Sequence, residues 1–216
     1  MTTLHLAAMR SESLERLKAS GVFQSLAAGE VDRRAYARYL VNVYHYAQHS
    51  PQVISLAAAR AVKSHPALAA YLMHHATEEI GHEQWAYSDL RRLGLTDEEI
   101  RSSRPGTACT AMVGMEYFVA SHWNPVALFG WLFVLEAFGD DVGHFVADKL
   151  SSLGGGATRF LDGHGSADHD HIREITDVVE RHLNAPGDIE DMTHIANVSR
   201  DLYIGMLEES VAGSRP

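Results

Sequence analysis

One cysteine, Cys109, stands in 216 residues, so no intrachain disulfide can staple the fold, and a reducing, cytoplasmic setting is expected. Cationic side chains are scarce as well: 18 Lys and Arg face 28 Asp and Glu, a formal net charge of −10. That balance excludes the concentrated basic surface needed for nucleic-acid backbones or anionic lipid. Long apolar runs are missing. The longest, Val126 to Leu135, stops at Glu136 after ten residues, far short of the roughly 20 that span a bilayer. The first 20 residues alternate apolar and charged side chains and lack the apolar stretch of a signal peptide. Alternating β-branched runs between turn signals are absent too, which argues against a sheet.

What remains is helical periodicity on a chain that is 46% hydrophobic, enough to bury a core and exclude wholesale disorder. At this length one domain is expected over residues 1–216, with its core at about 31–212. A first helix is expected to end near Gly21. Asp32 is placed to cap a long helix carrying Tyr36, Tyr39, Leu40, Val43 and Tyr44 at i, i+3, i+4 spacing. Pro51 restarts it as an Ala-rich helix, and Pro66 opens another that is read as continuous from Ala67 to Leu93, with Gly94 closing it. Thr96 to Glu99 is a capping-box pattern. Further helices are expected over about 108–121, 124–153, 158–183 and 189–209. The fold class is therefore an all-α, single-domain helical bundle of seven to nine helices.

Histidine is the excess that speaks of chemistry. There are 14, nearly as many as Lys and Arg together. In LMHHATEEIGHEQWAYSD, His75 and Glu79 lie about 40° apart on an ideal helix, and His75 and His82 about 20° apart. In HGSADHDH, His164, Asp168 and His171 repeat the same offsets, 89 residues later. Residues three or four apart are neighbours on a helix, so Glu79 with His82, and Asp168 with His171, can each clamp an ion. His75 and His82 rise about 10 Å apart, which suits a pair of ions better than one. Mixed imidazole and carboxylate donors fit non-haem iron or manganese better than structural zinc. Glu136 interrupts the apolar helix GWLFVLEAFG, where an unpaired carboxylate would be costly, and is the candidate bridge. Asp140 and His144 follow it at helical spacing and could support it.

Plainer readings compete for most other residues. Glu78 and Glu83 read as a solvated face, and His169 as solvent-facing. Cys109 reads as a small apolar filler. Met112, Met115, Tyr117, Phe118 and Trp123 read as core, with part of that stripe able to line a pocket.

The segments TEEIGHEQWAYSDLRRLGL, LFVLEAFGDD and FLDGHGSADHDHI together resemble the haem-oxygenase-like diiron oxidases, also described as iron-containing redox enzymes. These belong to a wider superfamily with TenA-type and pyrroloquinoline-quinone-synthase proteins. The resemblance covers about Val31 to His182. It implies a haem-oxygenase-like bundle, and His82, Glu136, His164, Asp168 and His171 as iron ligands, with Glu136 bridging. Glu79 is implied where some members carry a Glu three residues before the histidine. Other members carry a Glu seven before it, where this chain has His75, and a Glu on the preceding core helix is replaced here by His45 and His49. The sixth ligand thus stays open among His75, Glu79 and His45. The implied cofactors are two Fe, with Mn or a mixed Fe/Mn pair as alternatives, and O2 as co-substrate. Glu79 and Glu136 are the implied catalytic carboxylates.

The implied activity is oxidation of a small organic molecule, an amine, amino acid or fatty acid, at an N–H or C–H bond. An electron donor and a homodimer come with the resemblance. The pocket is expected near Tyr44, His45, Trp85 and Phe133, with Phe118 beside it and Arg38 or Arg159 as polar anchors. Two other functions keep the fold. One is a metal-free TenA-like hydrolase with Cys109 as nucleophile, or a quinone-forming oxidase. The other is a haem or small-molecule binding protein with His45 or His49 as axial ligand.

Overall fold

A computed structural model describes residues 3–154 and 156–213, and of residues 152, 154 and 165–168 the backbone alone. Its elements are α1 (Thr3–Ala19), α2 (Gly21–Ala27), α3 (Arg33–Ala47), α4 (Ser50–Ala61), α5 (Pro66–Glu78) and α6 (Glu83–Arg92). There follow α7 (Asp97–Ser102), α8 (Thr107–His122), a 3-10 turn (Pro125–Leu128), α9 (Phe129–Gly154), α10 (Arg159–His182) and α11 (Pro186–Ala212). No strand occurs among the described residues, as expected from the lack of alternating runs. None of their helices is long and apolar enough to cross a membrane.

The expected start signals act as such. Asp32 accepts from the Ala35 N–H at 2.7 Å, and Thr96 and Glu99 close a reciprocal capping box on α7. Pro51 and Pro66 stand in the first turns of α4 and α5, where a missing N–H costs nothing. The helix count exceeds the expected seven to nine for two local reasons. Ser20 ends α1 and caps a separate short helix, α2, by accepting from Phe23. The stretch read as one helix from Ala67 to Leu93 breaks at Glu79–His82, where Gly81 takes φ +94, a conformation that disfavours any residue bearing a Cβ.

The centre of the bundle is α9, which packs most extensively on α10 and then on α11. Phe129 to Val134 is buried on every side, the pattern of a helix enclosed by others. Gly130 permits the close crossing with α11: a Cβ there would lie 2.2 Å from the Met192 carbonyl oxygen. Arg10 ties α1 to α9 by pairing with both Asp140 and Asp141, and His169 reaches Asp140 at 3.1 Å. Asp140 is thus committed to Arg10 and His169 rather than to Glu136. His144 is exposed, so the supporting roles expected for these two residues do not hold.

Two buried carboxyls stand out. Asp89 on α6 is fully buried and accepts from the Phe160 N–H at 2.9 Å, so it caps α10 from another helix and fixes where α10 begins. Burial pushes its carboxyl up, and the N–H groups of Phe160 and Arg159 offset this only in part. Glu116 on α8 is also fully buried, and neither of its oxygens has a hydrogen-bond partner. Burial pushes its carboxyl well above the usual range, which favours the neutral form.

These two sites give opposite expectations. Replacing Asp89→Ala should lower unfolding free energy by about 1 kcal/mol through loss of the cap, with Asp89→Asn recovering most of it. Glu116→Met, which removes an unsatisfied buried group at similar volume, should raise stability by about 1–3 kcal/mol. Urea denaturation of the variants reads both signs, and a destabilised Glu116→Met would show that the carboxyl has a partner in solution.

Candidate metal centre

The break between α5 and α6 builds half of the site. His75 leaves the last turn of α5, Glu79 follows it, and the left-handed Gly81 turns the chain so that His82 sits immediately before α6. The offsets of an ideal helix therefore do not apply across 79–82, yet the three side chains still meet. The backbone carries them there through short turns: the Glu79 N–H bonds to the His75 carbonyl, and the His82 N–H to the Glu79 carbonyl. His75, Glu79 and His82 are all buried.

Glu136 on α9 and His171 on α10 complete the first cluster. His171 Nδ1 donates to Glu136 Oε2 at 3.2 Å, and His75 Nε2 lies 3.4 Å from Glu136 Oε1. One ligand atom each from His75, Glu136 and His171 falls within a span of 4.8 Å, the geometry of three donors around one cation. A second cluster adjoins it. His82 Nδ1 is 3.2 Å from Glu79 Oε1, and the His82 and His164 rings stand 4.8 Å apart, edge to face. His75 Nε2 lies 4.0 Å from Glu79 Oε1, so the two groups share a border. The residues offered by the sequence as alternatives, His75 and Glu79, both lie here. His45 does not, being bonded to Ser103 at 3.0 Å. The side chain of Asp168 lies outside the described residues; its turn of α10 falls between His164 and His171.

Whether these donors fit a metal is decided by what they lack. Five atoms of the cluster are buried without a hydrogen-bond partner: both His75 nitrogens, Glu78 Oε2, Glu79 Oε1 and His82 Nδ1. Each is either an imidazole nitrogen or a carboxylate oxygen, the donor types of iron and manganese sites. Carboxylates gathered out of water repel one another, by about 4 kcal/mol for unit charges 4 Å apart at an effective dielectric near 20. Cations between them would relieve both costs. The residues present fit a metal.

In the metal-free protein, protons carry part of that load. Burial would raise the Glu136 carboxyl, but the neighbouring His171 and His75 imidazoles outweigh it and hold Glu136 well below the usual carboxylate range. Burial would lower His171, and its contact with Glu136 overrides this and lifts it to about 9. For Glu79 the pattern recurs: burial raises it, His82 and then His164 lower it, and the net shift is downward.

Glu78 is the residue that pattern reasoning missed. Read as part of a solvated face, it instead places Oε2 3.6 Å from His171 Nε2 and 3.7 Å from His75 Nδ1. Its exposed backbone position hid an inward-turned carboxylate. Trp85 stacks on His82 at 4.1 Å and meets His164 edge-on at 5.7 Å, so it walls the second cluster. Outside that wall lies an open recess with Arg92 and Arg159.

A partly open cavity of about 160 Å³ reaches Glu79, Glu136 and His164 and is lined by Tyr36, Tyr39 and Phe138 among others. Tyr44, His45 and Phe133 do not line it: Tyr44 tilts against Tyr87, and Phe133 is packed in the core. Phe118 is exposed, and Arg38 donates to the Ser210 carbonyl oxygen at 2.7 Å. Cys109 is buried, donates to the Asn42 carbonyl oxygen, and has its thiol pushed up to about 12 by burial and then by Glu116 and Glu209. Such a thiol is a poor nucleophile. His49 is bonded to the Tyr117 hydroxyl at 3.1 Å.

The signs of the shifts set a pH dependence for the metal-free protein. His171 goes from 6.5 unfolded to about 9 folded, so its contribution is complete below pH 6.5 and is lost as pH rises towards 9. Glu136 is depressed, so its contribution is present above the unfolded value of 4.5 and is lost as pH falls below it. Thermal midpoints of chelator-treated protein should therefore peak between these values and decline from pH 6.5 to 9. That alkaline decline should flatten in His171→Gln.

The chain was compared with known proteins. Residues 37–203 match the family model described as iron-containing redox enzyme. No curated protein matches. Among solved structures, a domain of unknown function with a haem-oxygenase-like fold from Shewanella denitrificans superposes with a TM-score of 0.83 at 22% identity, covering 98% of this chain and 90% of that one. A TenA homologue from P. horikoshii superposes at 0.78 with 14% identity, covering 98% of each chain. Haem oxygenase-1 from the cyanobacterium Synechocystis, solved with haem, superposes at 0.73 with 15% identity over 97% of this chain and 91% of that one. At these identities the structural likeness speaks for the haem-oxygenase-like fold. With its fold and most of its length matched, this chain belongs to the iron-containing redox enzyme family.

Proposed function

We propose that this protein is an O2-dependent non-haem diiron oxidoreductase that oxidises a small organic substrate. The observation that carries the reading is the buried His75–Glu136–His171 trio abutting Glu79, His82 and His164. The trio would hold one iron, and Glu79, His82 and His164 the other, with Glu136 placed to serve both. Ferrous ions, when bound there, would supply the electrons that O2 chemistry needs.

The chain's own residues do the rest. Glu78 bears on His75 and His171 from behind, orienting both rings and raising their basicity as ligands. Trp85 and Phe160 pack on His82 and His164 and keep water from the second cluster. Asp89 holds the start of α10, and so sets the height at which His164 is presented. The cavity beside Glu79, Glu136 and His164 receives the substrate next to the metal pair. Any electrons that the substrate did not itself return would call for an external electron donor. Among the described residues His45 and His49 are each bonded to a neighbouring hydroxyl, and Cys109 carries a thiol pushed up to about 12, so neither the axial-ligand nor the thiol-nucleophile reading gains an observation in its favour.

Anaerobic titration with ferrous iron tests the proposal. About two irons per chain are expected, with Glu136→Ala losing both and His82→Ala keeping about one. Glu78→Gln should weaken uptake by about 10–100-fold without changing the stoichiometry. Equal manganese uptake with O2 inactivity would move the assignment to manganese. Uptake unchanged in Glu136→Ala would end it.

A further inference from the structure

The cavity is the feature whose content the metal site leaves open. It begins at Glu79, Glu136 and His164 and extends between α3, α9 and α11 to Leu17 of α1 and Phe23 and Leu26 of α2. Beyond its metal end, the described residues that line it include no lysine, arginine or aspartate. Its hydroxyls are largely spoken for. Tyr36 donates to the Ala157 carbonyl oxygen at 2.5 Å, Tyr39 and Tyr203 pair at 3.3 Å, and Ser210 donates to the Met206 carbonyl oxygen at 2.8 Å. A charged group inserted there would lose its hydration and gain no partner. Hydrocarbon would lose nothing and leave water behind.

Resting on the diiron reading, we infer that the substrate of this site is a hydrocarbon-bodied molecule with a single polar end. The body fills the cavity towards α2, and the polar end lies at Glu79, Glu136 and His164. Molecules polar at both ends, such as lysine or arginine, are excluded, because only one end of the cavity is polar. Size follows from volume. An apolar void of about 150 Å³ takes up benzene, so 160 Å³ accommodates on the order of six to eight carbons. The short helix α2, unforeseen in the sequence, supplies the far wall and with Val142 and Val146 of α9 limits chain length.

The test uses metal-free protein and straight-chain alcohols, so that it reads the cavity independently of iron. Calorimetric titration from 1-butanol to 1-octanol should give about a fourfold gain in affinity for each methylene, levelling off once the cavity is full. 1,6-Hexanediol, with the same six-carbon skeleton as 1-hexanol and a second polar end, should bind at least about 10-fold more weakly, on the order of the cost of burying an unpaired hydroxyl. Val142→Trp should abolish the gain for the longer alcohols while leaving helicity and iron uptake intact. Leu132→Ala, which enlarges the cavity, should move the plateau to longer chains and decides the matter if Val142→Trp does not fold. An affinity that ignores chain length, 1,6-hexanediol binding as tightly as hexanol, or a plateau unmoved in both variants would overturn the inference. Iron stoichiometry in the same preparations tells separately whether the diiron reading stands.

Discussion

The structure turns on one carboxylate in an otherwise apolar rod. Glu136 sits on α9 among phenylalanines and leucines, a position that is tolerable only because His171 and His75 approach it from either side. Those contacts require α10 and α5 to lie against α9 at one height, and the remaining architecture serves that requirement. Asp89 reaches from α6 to anchor α10, and Arg10 pins α1 to the next turn of α9. The close crossing at Gly130 draws α11 in behind it. Stability and site geometry are here the same problem.

Much of this was legible in the residues, and what was not has identifiable physical causes. Helices announced by Asp32, Pro51, Pro66 and Thr96 formed where those residues indicated, because caps and prolines act locally. Glu136 was legible because a carboxylate inside an apolar run violates the pattern around it. The break at Glu79–His82 was not, because a single glycine in a helical pattern is usually tolerated, and nothing local announces a positive φ. Inside that break the angular arithmetic of an ideal helix loses its basis, although it had picked out the right residues. Glu78 was misread for a related reason: its position is half-exposed, and only the three-dimensional placement of His171 turns its carboxylate inward.

The pocket was the least legible part. Tyr44, His45, Trp85 and Phe133 were expected around a pocket between the metal helices. The cavity instead runs along α9 in the other direction, past Tyr36, Tyr39 and Phe138. Aromatic residues carry no periodic signal that separates a filled core from a hollow one; that depends on how closely neighbouring helices approach. The same holds for Glu116, whose burial without a partner could not be foreseen from an α8 sequence rich in small and apolar residues.

The donors of the metal centre come from the end of α5 and the turn before α6, from α9 and from α10, with more than 50 residues between the first group and Glu136. A zinc finger can recruit its ion early, since its ligands are close neighbours along a short polypeptide. Here the 75–82 stretch brings three donors together by local turns, while Glu136, His164 and His171 reach them only when α9 and α10 dock against it. A chain lacking α10 would therefore keep only part of the donor set, and a cation held by all of it would tie these distant stretches to one another.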